Sequence, residues 1–137
     1  RENSDTSYPV RHLFVYGTLM KGQSRHSTIT HHIVNQGIKA STKGALYNLG
    51  DYPGMRCSDT DTVHGELYEM DEVFLTLQSL DRVEGFYGFQ SQDSLFRRTL
   101  IHVEVNGELV WAWSYIYAQE PELNDRIVSG DWRKWNS

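Results

Sequence analysis

The feature that most limits what this chain can fold into is the stretch from Arg97 to Tyr117. Two alternating runs there flank Asn106-Gly107. A two-residue reversal needs positive φ at both positions, and Asn-Gly adopts it at little cost. Arg97–Val105 and Glu108–Tyr117 are therefore read as one long antiparallel hairpin. In its second strand Trp111, Trp113, Tyr115 and Tyr117 share one face, while Val110, Ala112, Ser114 and Ile116 share the other. Both faces are largely apolar, so both are expected to be covered. The Trp111 and Trp113 stripe is read as core rather than as a base-stacking platform.

Three further strands are expected. His12 to Tyr16 is an apolar run that stops at Gly17 and feeds a loop closed by Gly22. Such a turn presents backbone N–H groups to an anion at the strand's carboxyl end. Lys43 to Leu49, with Ala45, Tyr47 and Leu49 on one face, runs into the turn formers Gly50-Asp51-Tyr52-Pro53-Gly54. Val63 to Glu69 alternates again. Asp71 to Val83 changes period: Val73, Phe74, Leu77 and Leu80 fall at helical spacing, Asp71 is the expected N-cap and Gly85 the expected stop.

Ser24 to Val34 fits either a short helix or an irregular loop. Phe86 to Phe96 reads as a long aromatic loop, and Pro121 to Ser137 holds one short helical turn. Arg1 to Pro9 is polar and aperiodic and reads as a flexible tail ending near residue 10. Strands dominate and the helix falls between the third and fourth of them, which points to the α+β class, as a small mixed sheet or barrel.

A chain of 137 residues, 39% hydrophobic and 23% charged, suits one soluble domain over residues 11–137. The formal net charge of −5 and the lack of a basic tract argue against nucleic acid as a partner. No apolar run is long enough to cross a bilayer as a helix. The single cysteine, Cys57, leaves no intrachain disulfide and suits a reducing compartment, so the cytoplasm is the expected location.

Glu84 sits at the last turn of the expected helix, where the helix end carries partial negative charge. With Val83, Phe86 and Phe89 nearby, desolvation adds to that effect. Both raise a carboxyl pKa, as an acid/base catalyst working near neutrality requires. The plainer reading is a solvated glutamate at a helix end. His26, His31 and His32 lie close in sequence but lack acidic or cysteine partners at metal-ligand spacing, so no metal is expected. Cys57 has no activating base or cation beside it and reads as inert. Phe96-Arg97-Arg98 reads as edge protection and surface ion pairing. Nucleophile-elbow, phosphate-loop and dinucleotide fingerprints are all missing.

Taken in order, Val15-Tyr16-Gly17-Thr18-Leu19, Gly44-Ala45-Leu46-Tyr47 running into Tyr52-Pro53-Gly54, and Val63-His64-Gly65-Glu66-Leu67-Tyr68 resemble the gamma-glutamylcyclotransferase-like family. Leu80-Asp81-Arg82-Val83-Glu84-Gly85, Phe96-Arg97-Arg98 and Ala112-Trp113-Ser114-Tyr115 continue the resemblance. It implies a small mixed β-barrel of about five to seven strands with flanking helices and a cavity at the strand ends. It implies that the loop Tyr16, Gly17, Thr18 and Leu19 binds a gamma-glutamyl group through backbone amides. By the same resemblance Glu84 is the general acid/base and the Tyr115 hydroxyl faces the cavity. The family often has tyrosine where this chain has Phe96, so a hydroxyl contact there is not expected.

The implied reaction has the substrate's α-amine attack its own γ-carbonyl, giving 5-oxoproline and a free amine, with no cofactor. The nucleophile arrives with the substrate, which accords with the missing triad. The alternatives are a non-catalytic module that holds a small carboxylate, and an enzyme acting on an amide that is not gamma-glutamyl.

Overall fold

The computed structural model describes residues 10–84 and 95–135. The expected tail Arg1–Pro9, the Gly85 stop, and Phe86 and Phe89 lie outside the described residues.

The Asn-Gly reversal forms as the sequence dictates, with φ of 53° at Asn106 and 83° at Gly107. It joins β6 (Phe96–Val105) to β7 (Glu108–Tyr117), paired in register from Phe96↔Tyr117 to Val105↔Glu108. β1 (His12–Val15), β2 (Ile38–Lys43) and β5 (Thr62–Glu69) complete a closed barrel in the order β1-β5-β2-β6-β7. The barrel closes where β1 meets β7 in parallel at Leu13↔Trp113. Closure is reinforced by the buried Ser114 hydroxyl, which donates to the Phe14 carbonyl at 2.9 Å. β3 (Ala45–Asn48), β4 (Pro53–Arg56) and β8 (Arg126–Ile127) form a second sheet in the order β4-β3-β8. The α+β class and the small mixed barrel expected from the sequence are both present.

Several boundaries differ from expectation, each for a physical reason. The strand read over Lys43–Leu49 is two strands broken at Gly44, where a Cβ would lie 3.1 Å from the Arg56 carbonyl and the Met55 side chain. Most of β2 carries polar side chains (Lys39, Ser41, Thr42, Lys43), so it lacks the apolar alternation of a half-buried strand. The Gly50–Gly54 turn formers make a tight reversal, in which Leu49 N–H donates to Tyr52 O, and then continue directly as β4.

Helix α1 (Val73–Val83) begins at an N-cap of Glu72, not Asp71, with no side-chain cap. It buries Val73, Thr76, Leu77 and Leu80, while Phe74 is 48% exposed because it lies one residue off that stripe. Ser24–Val34 is a run of turns with a single 3-10 turn at His26–Thr28. The C-terminal stretch holds the short helix α2 (Trp132–Trp135). Trp111 is not core: it is 51% exposed and stacks on His102 with ring centroids 3.8 Å apart. Nor is β6 a sheet edge, since it lies between β2 and β7. No helix among the described residues is long and apolar enough to cross a membrane.

Gly65 on β5 sits against β1 so closely that a Cβ would fall 2.2 Å from the Val15 carbonyl oxygen. The clash is with backbone, which no rotamer change relieves. Gly65→Ala is expected to lower unfolding free energy by roughly 2–3 kcal/mol in urea titrations. Gly107→Ala meets no atom within 4 Å. It bears only the strain of its positive φ, so about 1 kcal/mol is expected there.

Candidate active site

β1 delivers Tyr16 and the loop that follows it to one end of the barrel. Gly17 is required there by close approach: a Cβ would lie 2.6 Å from the Pro53 ring. The loop turns on Met20 N–H to Gly17 O (3.0 Å) and Gln23 N–H to Met20 O (2.9 Å). The N–H groups of Thr18 and Leu19 find no backbone acceptor among the described residues. The loop is braced from behind. Glu66 accepts the Lys21 N–H at 2.9 Å and the Tyr68 hydroxyl at 2.8 Å, and it pairs with Arg133 of α2 at 2.6 Å. His26 Nδ1–H donates to Leu19 O at 2.8 Å. The loop's shape is thus set by groups behind it, and two amide donors remain available.

Tyr16 is buried. Its hydroxyl donates to Tyr115 O at 2.7 Å and accepts from Met55 N–H at 3.2 Å. Burial pushes its pKa far up, so the phenol stays protonated. With the hydroxyl committed to backbone, its ring serves as cavity wall.

Glu84 is the residue that ends α1, with its N–H bonded to Leu80 O at 2.8 Å. It faces a cavity of about 130 Å³ whose lining also includes Gly17, Thr18, Leu19, Tyr52 and Tyr115. That space suits an amino-acid-sized group rather than a large ligand. Burial pushes the Glu84 carboxyl up to about 7, and the positive charge of Arg25 works in the opposite direction. One turn back on the same helix, Asp81 accepts from the Tyr115 hydroxyl at 2.7 Å and from Arg98 Nε at 3.0 Å. Arg98 in turn lies over the Trp113 ring, 5.0 Å from its centroid. The Tyr115 proton is therefore directed at Asp81, and the phenol oxygen keeps an accepting lone pair.

The residues expected at the site, Tyr16, Gly17, Thr18, Leu19, Glu84 and Tyr115, line one cavity together. Phe96 lines it too, its ring packed between Tyr52 and Tyr117. The histidines do not converge, and among the described residues no three His, Cys, Asp or Glu side chains are grouped to hold a metal ion. Cys57 is exposed and does not line the cavity. Arg98 is drawn into the Asp81 pair rather than left at the surface. Sequence reasoning missed Arg25 and Tyr52 as lining residues. Arg25 lies in a stretch with no periodicity, and Tyr52 was hidden among turn formers. Asp81 was legible only as a motif position, although its i, i+3 spacing from Glu84 puts both carboxylates near one helix face.

A closed barrel whose small cavity is lined on one side by the loop after Tyr16, and on another by a partly buried carboxylate with no ion-pair partner among the described residues, defines a candidate small-molecule site. The chain belongs to the gamma-glutamyl cyclotransferase, AIG2-like family, which it matches over residues 13–134. It is 37% identical over 124 residues to a Vibrio cholerae protein provisionally named a gamma-glutamylcyclotransferase, covering 90% of this chain and 96% of that protein. It is 33% identical over 124 residues to the gamma-L-glutamyl-butirosin B gamma-glutamyl cyclotransferase of Niallia circulans, covering 90% of this chain and 76% of that one. The crystal structure of a mouse AIG2-like protein is similar with a TM-score of 0.70 at 28% identity, over 88% of this chain and 86% of that one.

The Glu84 environment carries a stability signature. A carboxyl near 7 in the fold and near 4.5 when unfolded binds more protons folded than unfolded between those values. Its contribution is fully present below about pH 4.5 and is lost as pH rises through 7. Glu84→Gln is expected to remove that loss, so the variant gains on the parent by roughly 2 kcal/mol between pH 4.5 and 8, allowing for solvent at the cavity mouth. Urea unfolding of both proteins across that range measures it.

Proposed function

We propose that this protein is a gamma-glutamyl cyclotransferase that releases 5-oxoproline and a free amine, with Glu84 as the sole acid/base. The observation that carries the reading is that Thr18 and Leu19, whose amides bond no backbone acceptor among the described residues, line one small cavity together with Glu84. The family, and relatives named for gamma-glutamyl cyclotransfer, support it.

The chemistry asks little more of a protein. Ring closure to a five-membered lactam is intramolecular, so the attacking nitrogen is already positioned. Across the reaction the α-nitrogen gives up two protons and the departing nitrogen gains two. A carboxyl near 7 accepts and returns them in turn at neutral pH. Ionised Glu84 takes a proton from the α-ammonium, the freed amine attacks the γ-carbonyl, and the carbon–nitrogen bond to the leaving group breaks as that nitrogen is protonated. The Thr18 and Leu19 amides hold the α-carboxylate end of the gamma-glutamyl group, and the Tyr115 oxygen accepts from its α-ammonium. A neutral Tyr115 suits that role, and its high pKa keeps it neutral throughout.

The test is 5-oxoproline release from a panel of gamma-glutamyl amino acids and amines. Glu84→Gln is expected to lose at least about 100-fold in kcat with the fold intact. The acid limb of kcat/KM should rise through about pH 7 as Glu84 ionises. Parent-like activity in Glu84→Gln would rule the mechanism out, and binding without turnover on every panel member would favour a non-catalytic carboxylate-binding module.

A further inference from the structure

Arg25 is the one cation among the described residues that line the cavity. Its backbone N–H donates to Thr18 O at 2.8 Å, which ties it to the loop carrying the free amides. Its guanidinium lies over the Tyr52 ring, 5.8 Å from the centroid, and makes no hydrogen bond to a described residue. A guanidinium held over an aromatic ring by its charge spends none of its N–H donors on that contact. Arg25 is close enough for its charge to be felt at Glu84, yet the two form no salt bridge.

Depth in the cavity separates the roles of its donors. Leu19 is 7% exposed, whereas Arg25 is an exposed residue at the mouth. The gamma-glutamyl head must reach Glu84 and the loop amides, so the departing group occupies the mouth, where it leaves to solvent. A forked guanidinium there matches a planar carboxylate.

Resting on the reaction proposed above, we infer that Arg25 is a specificity residue that grips a carboxylate on the leaving group. The preferred substrates are then gamma-glutamyl amino acids rather than gamma-glutamyl derivatives of simple amines. The acidic residues Glu120, Glu122 and Asp125, in a groove beyond Tyr52, are a weaker basis for a cationic leaving group. They lie outside the reactive cavity, and Glu120 is already paired with Arg56 at 3.3 Å.

Gamma-glutamylalanine and gamma-glutamylethylamide differ only by the carboxylate on the leaving group. Their kcat/KM values are compared at pH 8.5, above the value near 7 to which burial raises Glu84 in the parent. Because both substrates meet the same Glu84 in each protein, its ionisation cancels from their ratio. The parent is expected to favour the alanine compound by about tenfold, chiefly through KM. Arg25→Gln should compress that ratio to about twofold or less, and Arg25→Lys should keep an intermediate ratio. Thermal melts confirm that the variants fold.

Equal losses on both substrates would place Arg25 at the gamma-glutamyl head and overturn the inference. So would the lack of any preference in the parent, or faster turnover of a gamma-glutamyl diamine than of the alanine compound. If neither compound yields 5-oxoproline, the reaction itself is wrong. Calorimetric binding of the same pair to parent and Arg25→Gln then decides the carboxylate grip separately: tighter binding of the alanine compound that is lost in the variant sustains it, and any other result overturns it.

Discussion

The closure of the barrel between its first and last strands is the constraint on which the rest of the molecule depends. Strands β1 and β7 meet in parallel at a single paired position. Two side-chain hydroxyls bridge the strands just beyond it: Ser114 bonds the Phe14 carbonyl, and Tyr16 bonds the Tyr115 carbonyl while accepting from Met55. Each such bond adds only about 1 kcal/mol net, but a buried carbonyl left without one costs more than that. Apolar burial alone tolerates other ways of closing this sheet. The polar groups at the seam do not, because any other register leaves them unsatisfied. Closure in this register sets the loop after Tyr16 beside Tyr115, and the cavity lies between them.

The cavity's chemistry arises from unequal treatment of two acids on one helix. Asp81 lies in an ion pair with Arg98 and takes the Tyr115 hydroxyl as a second partner. Glu84, three residues on, has no salt bridge among the described residues and faces a mostly apolar wall. One carboxylate becomes a fixed post that orients a tyrosine; the other is left desolvated with its proton affinity raised. Glu66 plays the same kind of fixed part behind the loop, where it gathers Lys21, Tyr68 and Arg133. Rigid polar supports around one deliberately unpaired group are what proton transfer at a defined position needs.

Much of the architecture was legible locally. The Asn-Gly hairpin, the β1 run, β5 and the body of α1 depend on neighbours within a few residues, and their patterns survive in the sequence. β2 did not announce itself, because its side chains are mostly polar and its stability comes from the pairing with β5. The split at Gly44 and the exposure of Trp111 and Phe74 were hidden for a related reason. Composition records how apolar a residue is, but not whether another element arrives to cover it.

The site divides along the same line. By itself the sequence determined that a glycine-broken loop follows a buried strand and that Glu84 stands where a helix ends. Its ordered motifs also marked the family. Only the tertiary structure decided that these features share one cavity, that Tyr16 spends its hydroxyl on backbone almost a hundred residues away, and that Arg25 comes to the cavity mouth. The physical reason is range. Turn and helix preferences act between near neighbours, whereas desolvation of Glu84 and the placement of a cation beside it exist only once distant strands have closed on one another.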